Sequence, residues 1–178
     1  DMYSTRRWSF FLSVLVMFTL LLSTGLVMAQ DGAADSGSSG LLTALRHTHS
    51  LVRWLVVIVA IVALVKLALG LVQKASYDAL TKRIMVIFSG VITLQWVIGL
   101  VFLVVIGGIT GFGLRHYWEH LVVMTIAVGL SHMHNSKRWR DAADHIRFRN
   151  SLIIIVVVLM LVFIGVILLP QGWRIAPV

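Results

Sequence analysis

The sequence contains no cysteine and two prolines, and only 12% of its 178 residues are charged. Without cysteine, the chain cannot form disulfides, thiolate metal sites, iron–sulfur clusters or the covalent haem attachment of a Cys-x-x-Cys-His motif. Soluble domains have about 25% charged residues, so a chain this poor in charge, with 59% apolar residues, has too few charges to cover a water-facing surface. These absences exclude a soluble enzyme domain and indicate a membrane protein.

Five continuous apolar runs fill most of the chain, at residues 10–29, 51–71, 84–106, 118–133 and 152–169. Each is close to the roughly 20 residues that a membrane-spanning helix needs. None alternates in the manner of a membrane β-barrel. The pattern predicts an all-α integral membrane fold, in which a four-helix transmembrane bundle (46–178) follows one N-terminal anchor helix (1–29). The spans leave no room for an independent catalytic site.

The first run resembles a secretory signal, because Arg6 and Arg7 precede it and Val27, Met28 and Ala29 end it like a small-residue cleavage site. Its length is nevertheless enough to cross a bilayer. We therefore expect a retained membrane anchor. Residues 30–45, rich in Ala, Ser, Gly and Asp near their start, are expected to form a flexible outer linker.

The net charge of +8 is explained by membrane orientation better than by nucleic-acid binding, because the cations cluster in short loops. Basic residues in such loops mark the cytoplasmic side. With five crossings, three basic groups fall on one face: Arg6 and Arg7; Lys74, Lys82 and Arg83; and Lys137, Arg138, Arg140, Arg147 and Arg149. We expect a multi-pass protein of the bacterial inner (cytoplasmic) membrane, with its N-terminus inside and its C-terminus outside.

Histidines at two helix starts are the main chemical signal. His49 begins the second predicted span and His120 begins the fourth, so both lie at the outer edge of the membrane. Ionisable residues within membranes are functional candidates by default. Two imidazoles at equal depth on facing helices are what axial ligation of one b-type haem requires. We therefore predict His49 and His120 as ligands of haem iron.

Three arginines on the same predicted outer side fit this interpretation: Arg46, Arg53 and Arg115. Arg53 follows His49 by four residues and shares its helix face. Arginine forms bidentate pairs with carboxylates, so these side chains are predicted to bind the haem propionates. The alternative is that Arg53 pairs with Glu119 or with a lipid phosphate.

His134 follows His120 by fourteen residues, which on a continuous helix places both on one face about 21 Å apart. Membrane cytochromes b with two haems space their ligands in this way. His134 is thus a second candidate cofactor ligand, but no histidine at the inner end of another span can pair with it. One haem is expected, and His134 is alternatively an interfacial residue. Gln95, within a span, is expected to form a hydrogen bond across helices.

The segment from Arg46 to Pro170 resembles a family of small four-helix bacterial membrane proteins described as cytochrome-b-like. The matching features are His49-Ser50 with Arg53-Trp54 at one helix start, Glu119-His120 at another, and a closing segment from His132 to Lys137. The resemblance covers about two thirds of the chain. It implies a haem-binding or electron-transfer role carried by His49 and His120.

Three functions remain open. The first is a membrane subunit of a respiratory or photosynthetic electron-transfer complex that binds one haem b and passes electrons between quinone and an outer partner. The second is a structural or assembly subunit without cofactor, packed against other membrane subunits. The third is a pigment-binding protein, in which each histidine ligates a separate chlorophyll magnesium.

Overall fold

The computed structural model describes residues 37–113, 115–170 and 172–173, and every regular element in them is helical. The elements are α1 (Gly37–Val72), α2 (Ala79–Thr110), α3 (Arg115–Ser131), a 3₁₀ turn (Met133–Asn135), α4 (Lys137–Arg140) and α5 (Asp144–Ile167). The all-α prediction is thereby confirmed. The predicted anchor helix at 1–29 lies outside the described residues.

The chain divides into two compact units, Asp1–His47 and Thr48–Val178. In the first unit, the described residues belong to the beginning of α1. Residues 37–45, which fall within the predicted linker, are helical. Leu41, Leu42, Ala44 and Leu45 are strong helix formers, so the helix starts well before the apolar run that marked it in the sequence.

Three of the described helices are long and apolar enough to cross a membrane: Gly40–Val72, Ala79–Ile109 and Asp144–Ile167. They indicate a multi-pass membrane protein. Helix α3 is not among them. Its 17 residues rise only about 25 Å, less than the roughly 30 Å of a bilayer's hydrocarbon core. The fourth predicted span, 118–133, thus corresponds to a helix that begins three residues earlier and ends two residues earlier.

The core of the second unit is built by α1, α2, α3 and α5 together. Its fully buried members include Ala60 and Leu67 from α1, Met85 and Phe88 from α2, and Phe148 from α5. Small residues allow this packing, since a side chain at Gly70 would collide with the Phe148 ring. Many large apolar side chains point away from this core and remain exposed, as expected for helices that face lipid.

The connections place two sets of residues at opposite ends of this unit. We call the end where α3 starts and α5 finishes the histidine end, because His49 and His120 lie there. The other, where α2 and α5 start, is the basic end. At the basic end, Asp78 caps α2 by accepting from the Thr81 amide at 2.8 Å. A buried hydrogen bond of 3.0 Å between Tyr77 and Ser151 ties the α1–α2 connection to α5.

Candidate functional site

A mostly apolar cavity opens at the histidine end, between α1, α2, α3 and α5. Its enclosed volume is about 120 Å³, and the free space reaches about 970 Å³ when the open side is included. His49, Arg53, Gln95, Tyr117 and His120 supply its polar atoms, whereas the other lining residues are almost all apolar. A few convergent polar groups in an apolar cleft are typical of a ligand or cofactor site.

His49 and His120 face each other across this cavity. Their ring centroids are 6.5 Å apart and the ring planes are inclined by 74°. Two imidazoles that share one metal ion, each with a metal–nitrogen distance of about 2 Å, would have centroids separated by about 6.4 Å. The observed separation is therefore wide enough for one metal ion between two imidazoles on opposite sides of it. The structure brings together the two histidines that the sequence singled out.

The end of α5 fixes one nitrogen of His120. Pro170 has no amide proton for the Val166 carbonyl, and the Leu169 amide bonds to Val166 at 3.2 Å instead. The Gly165 carbonyl, near the end of the helix, accepts from Nδ1 of His120 at 2.6 Å. Metal-ligating histidines commonly donate their second ring N–H to a carbonyl in this way. Nε2 is thus the nitrogen of His120 that can hold a metal.

Gln95 holds His49. Its amide nitrogen donates both to the His49 carbonyl at 2.9 Å and to Nε2 of the His49 ring at 3.1 Å. The predicted cross-helix bond of Gln95 is confirmed. Nδ1 of His49 and Oε1 of Gln95 are buried without a hydrogen-bond partner. Buried polar groups are rarely left unpaired, so these two atoms mark a place where a bound ligand would supply the missing hydrogen-bond partners.

Two glycines lie beside the histidine pair. A Cβ at Gly99 would lie 2.9 Å from Cε1 of His49, and a Cβ at Gly165 would collide with Met124 and lie 3.4 Å from Nδ1 of His120. Helix α2 therefore needs glycine where the His49 ring approaches it, whereas at Gly165 the close neighbour is the Met124 side chain and His120 is at an ordinary contact distance. Sequence reasoning missed both glycines. Gly99 follows Gln95 by one helical turn, which is the available signal.

The three predicted arginines differ in their surroundings. Arg53 lines the cavity, where its Nε is buried without a partner, and its guanidinium lies 5.4 Å from the Trp173 ring centroid. Arg115 instead pairs with Glu119 at 2.5 Å and does not line the cavity. The alternative in which Glu119 pairs with Arg53 is therefore wrong. Arg46 is exposed and belongs to the unit that ends at His47.

His134 does not share a helix with His120. Helix α3 ends at Ser131 and His134 lies in the following 3₁₀ turn, where its Nδ1 donates to the Ser131 carbonyl at 2.8 Å. The continuous helix on which the predicted common face and spacing of about 21 Å depend therefore ends before His134. Ser131 is fully buried, and the polar segment after it ends the helix earlier than the apolar pattern indicated. His134 lines a separate cavity at the basic end.

The residues of the cavity fit a b-type haem in their chemistry. They offer two opposed imidazoles, an apolar wall and one guanidinium for a propionate. The enclosed space is below the roughly 300–1,000 Å³ of ordinary ligand pockets, so a molecule of that size would also occupy the open side. Ligation through Nε2 of His49 would require Gln95 to turn away, whereas ligation through Nδ1 would place the ring proton on Nε2 and require the Gln95 amide to present Oε1 to it. Nowhere in the described ranges do three or more His, Cys, Asp or Glu residues group as a metal site would need.

Comparisons with family models, with curated proteins and with solved structures gave no match for this chain.

Proposed function

We propose that the protein is a membrane subunit of an electron-transfer complex that holds one b-type haem through His49 and His120. The observation that carries this proposal is the 6.5 Å separation of the two ring centroids across an apolar cavity. The hydrogen bond from His120 to the Gly165 carbonyl adds the support that metal-ligating histidines ordinarily have. When bound, the haem supplies one-electron transfer.

The chain's own residues have distinct roles in this proposal. His49 and His120 would hold the metal, Gly99 leaves space for the His49 ring, and Arg53 would bind a propionate. Electron transfer at a site that excludes water is favoured when hydrogen bonds fix the ligands, because fixed ligands rearrange little when the charge of the site changes. The complex, whether respiratory or photosynthetic, supplies the donor and the acceptor, and quinone is one candidate for either.

The test is a dithionite-reduced minus oxidised spectrum of the purified protein, with His49→Ala and His120→Ala as variants. The control is His145→Ala, an exposed histidine in the first turn of α5. We expect a b-type α-band that both cavity variants lose and the control keeps. Long-wavelength pigment absorption in place of the α-band would favour a chlorophyll protein. A folded protein without any band would refute haem binding.

A cofactor-free structural subunit is the second candidate, and a specific observation favours it. The polar contacts of His49 and His120 already join α1 to α2 and α3 to α5. In that function the two histidines act as interhelical hydrogen-bonding residues, worth about 0.6 kcal/mol each in a membrane. His49→Ala and His120→Ala would then lower the free energy of unfolding and change no spectrum.

We also propose that α3 completes a four-helix bundle in the bacterial cytoplasmic membrane, with the basic end in the cytoplasm. The support is the excess of lysine and arginine in the loops at that end. Because the chain has no cysteine, single substitutions give clean labelling sites. An impermeant maleimide added to intact spheroplasts should label Gly113→Cys and not Lys137→Cys. Labelling of Lys137→Cys alone would reverse the orientation.

A further inference from the structure

A second cavity lies at the basic end, far along the bundle from the histidine pair. Its volume is about 220 Å³. Three cations line it, Lys82, Arg140 and Arg147, together with His134 and Tyr77. No carboxylate lines the cavity, so the fixed charges around it have one sign. A cavity of this composition favours an anion.

Two of its cations have no acidic partner. Lys82 and Arg140 form no ion pair with a carboxylate in the part of the chain that the structure describes. Arg147 is mostly buried; it lies 3.6 Å from Asp144 and its guanidinium is 4.0 Å from the Tyr77 ring centroid. Arg147 is therefore held in place by its neighbours, while Lys82 and Arg140 remain exposed and able to move onto a ligand.

His134 adds a buried polar atom to the same cavity. Its Nδ1 donates to the Ser131 carbonyl at 2.8 Å, and its Nε2 is buried without a partner. Burial lowers the pKa of His134 below its usual value, so at neutral pH Nε2 carries a lone pair and accepts hydrogen bonds. The complementary ligand therefore combines an anionic group with a hydroxyl.

The position of the cavity indicates where such a ligand comes from. Lys82 lies in the first turn of one span-capable helix and Arg147 in the first turn of another. Both are thus at the depth where a bilayer's hydrocarbon gives way to its head groups. Basic pockets between membrane helices at this depth bind the head groups of anionic lipids.

We propose that the basic-end cavity binds the phosphate of an anionic phospholipid, with a head-group hydroxyl donating to His134. Lys82, Arg140 and Arg147 are the phosphate-binding residues. The site is independent of the histidine pair and of any haem.

The experiment measures how much phosphatidylglycerol the full-length protein retains after purification from vesicles of phosphatidylglycerol and phosphatidylcholine. Lys82→Gln and Arg140→Gln remove one cation each from the cavity. Arg83→Gln and Arg138→Gln are matched controls, because these exposed residues lie in the same segments and do not line it. We expect each cavity variant to retain about fivefold less phosphatidylglycerol, and each control to retain as much as the wild type.

A parallel wash with excess inorganic phosphate separates the two sources of the same chemistry. Displacement of the lipid means that free phosphate alone satisfies the site, whereas retention means that the lipid's head group and chains contribute. Equal losses of phosphatidylglycerol in cavity and control variants would mean that diffuse surface charge holds the lipid, and would refute the site. Unchanged lipid retention in all variants would also refute it. All four altered side chains are exposed, and circular dichroism checks that each variant is folded.

Discussion

Gly99 offers a direct test of how the histidine cavity is built. In Gly99→Ala, the new Cβ would lie 2.9 Å from Cε1 of His49, whereas ordinary contacts begin at 3.4 Å. The ring must therefore move away by a few tenths of an ångström. Its Nε2 is already 3.1 Å from the Gln95 amide nitrogen, so the movement weakens or breaks that hydrogen bond.

The expected cost combines two effects. Loss of an interhelical hydrogen bond in a membrane costs about 0.6 kcal/mol and at most about 1.7 kcal/mol, and an added methyl group in a packed site costs about 1 kcal/mol or more. In the opposite direction, replacing glycine by alanine within a helix stabilises the helix by about 1 kcal/mol. Gly108→Ala in the same helix isolates that gain, because no atom lies within 4 Å of a Cβ there.

The assay is reversible unfolding in mixed micelles, followed by circular dichroism. We expect Gly99→Ala to be about 1–2 kcal/mol less stable than Gly108→Ala. If haem is bound, its α-band should weaken in Gly99→Ala alone. Equal stabilities of the two variants, with equal spectra, would refute the reasoning that Gly99 is needed to admit the His49 ring.

Three further predictions concern the α1–α2 connection. Asp78→Ala removes the cap of α2 and should lower the Tm by a few degrees at neutral pH. Hydrogen bonds from the Thr81 side chain and amide lower the pKa of Asp78. The stabilisation by this carboxylate is therefore present above its usual pKa and is lost as the pH falls through the lowered value. The Tm difference between the wild type and Asp78→Ala should accordingly narrow below about pH 4. Tyr77→Phe should cost about 1 kcal/mol, because it leaves the buried Ser151 hydroxyl without its partner. The same cost in a Ser151→Ala background would contradict that explanation.

Much of the fold was predictable because long apolar runs have few alternatives to membrane helices. The sequence also singled out His49 and His120, since each begins an apolar run at the same predicted side of the membrane. Helix ends were harder to predict. Residues 37–45 extend α1 although their first four residues are glycine and serine, and α3 ends at Ser131 before the histidines that follow it. At such ends, local polar contacts decide between helix and turn.

The supporting residues of the site were less accessible to sequence reasoning. Gly99 and Gly165 face side chains of other helices, the His49 ring and Met124, and a single sequence does not reveal which helices are neighbours. Arg115 was predicted to face the cofactor, but a glutamate one turn away competes for it. Such a local partner is visible in the sequence as an i, i+4 pair, and it competes with any distant ligand predicted for the same side chain.

The termination of α5 has a consequence for proton placement at the site. Because Pro170 diverts the Leu169 amide to Val166, the Gly165 carbonyl is available, and the single proton of neutral His120 resides on Nδ1. In Pro170→Ala, a continuing helix would return the Leu169 amide to Gly165 and release that proton to either nitrogen. Pro170, which does not line the cavity, thus sets the tautomer of His120.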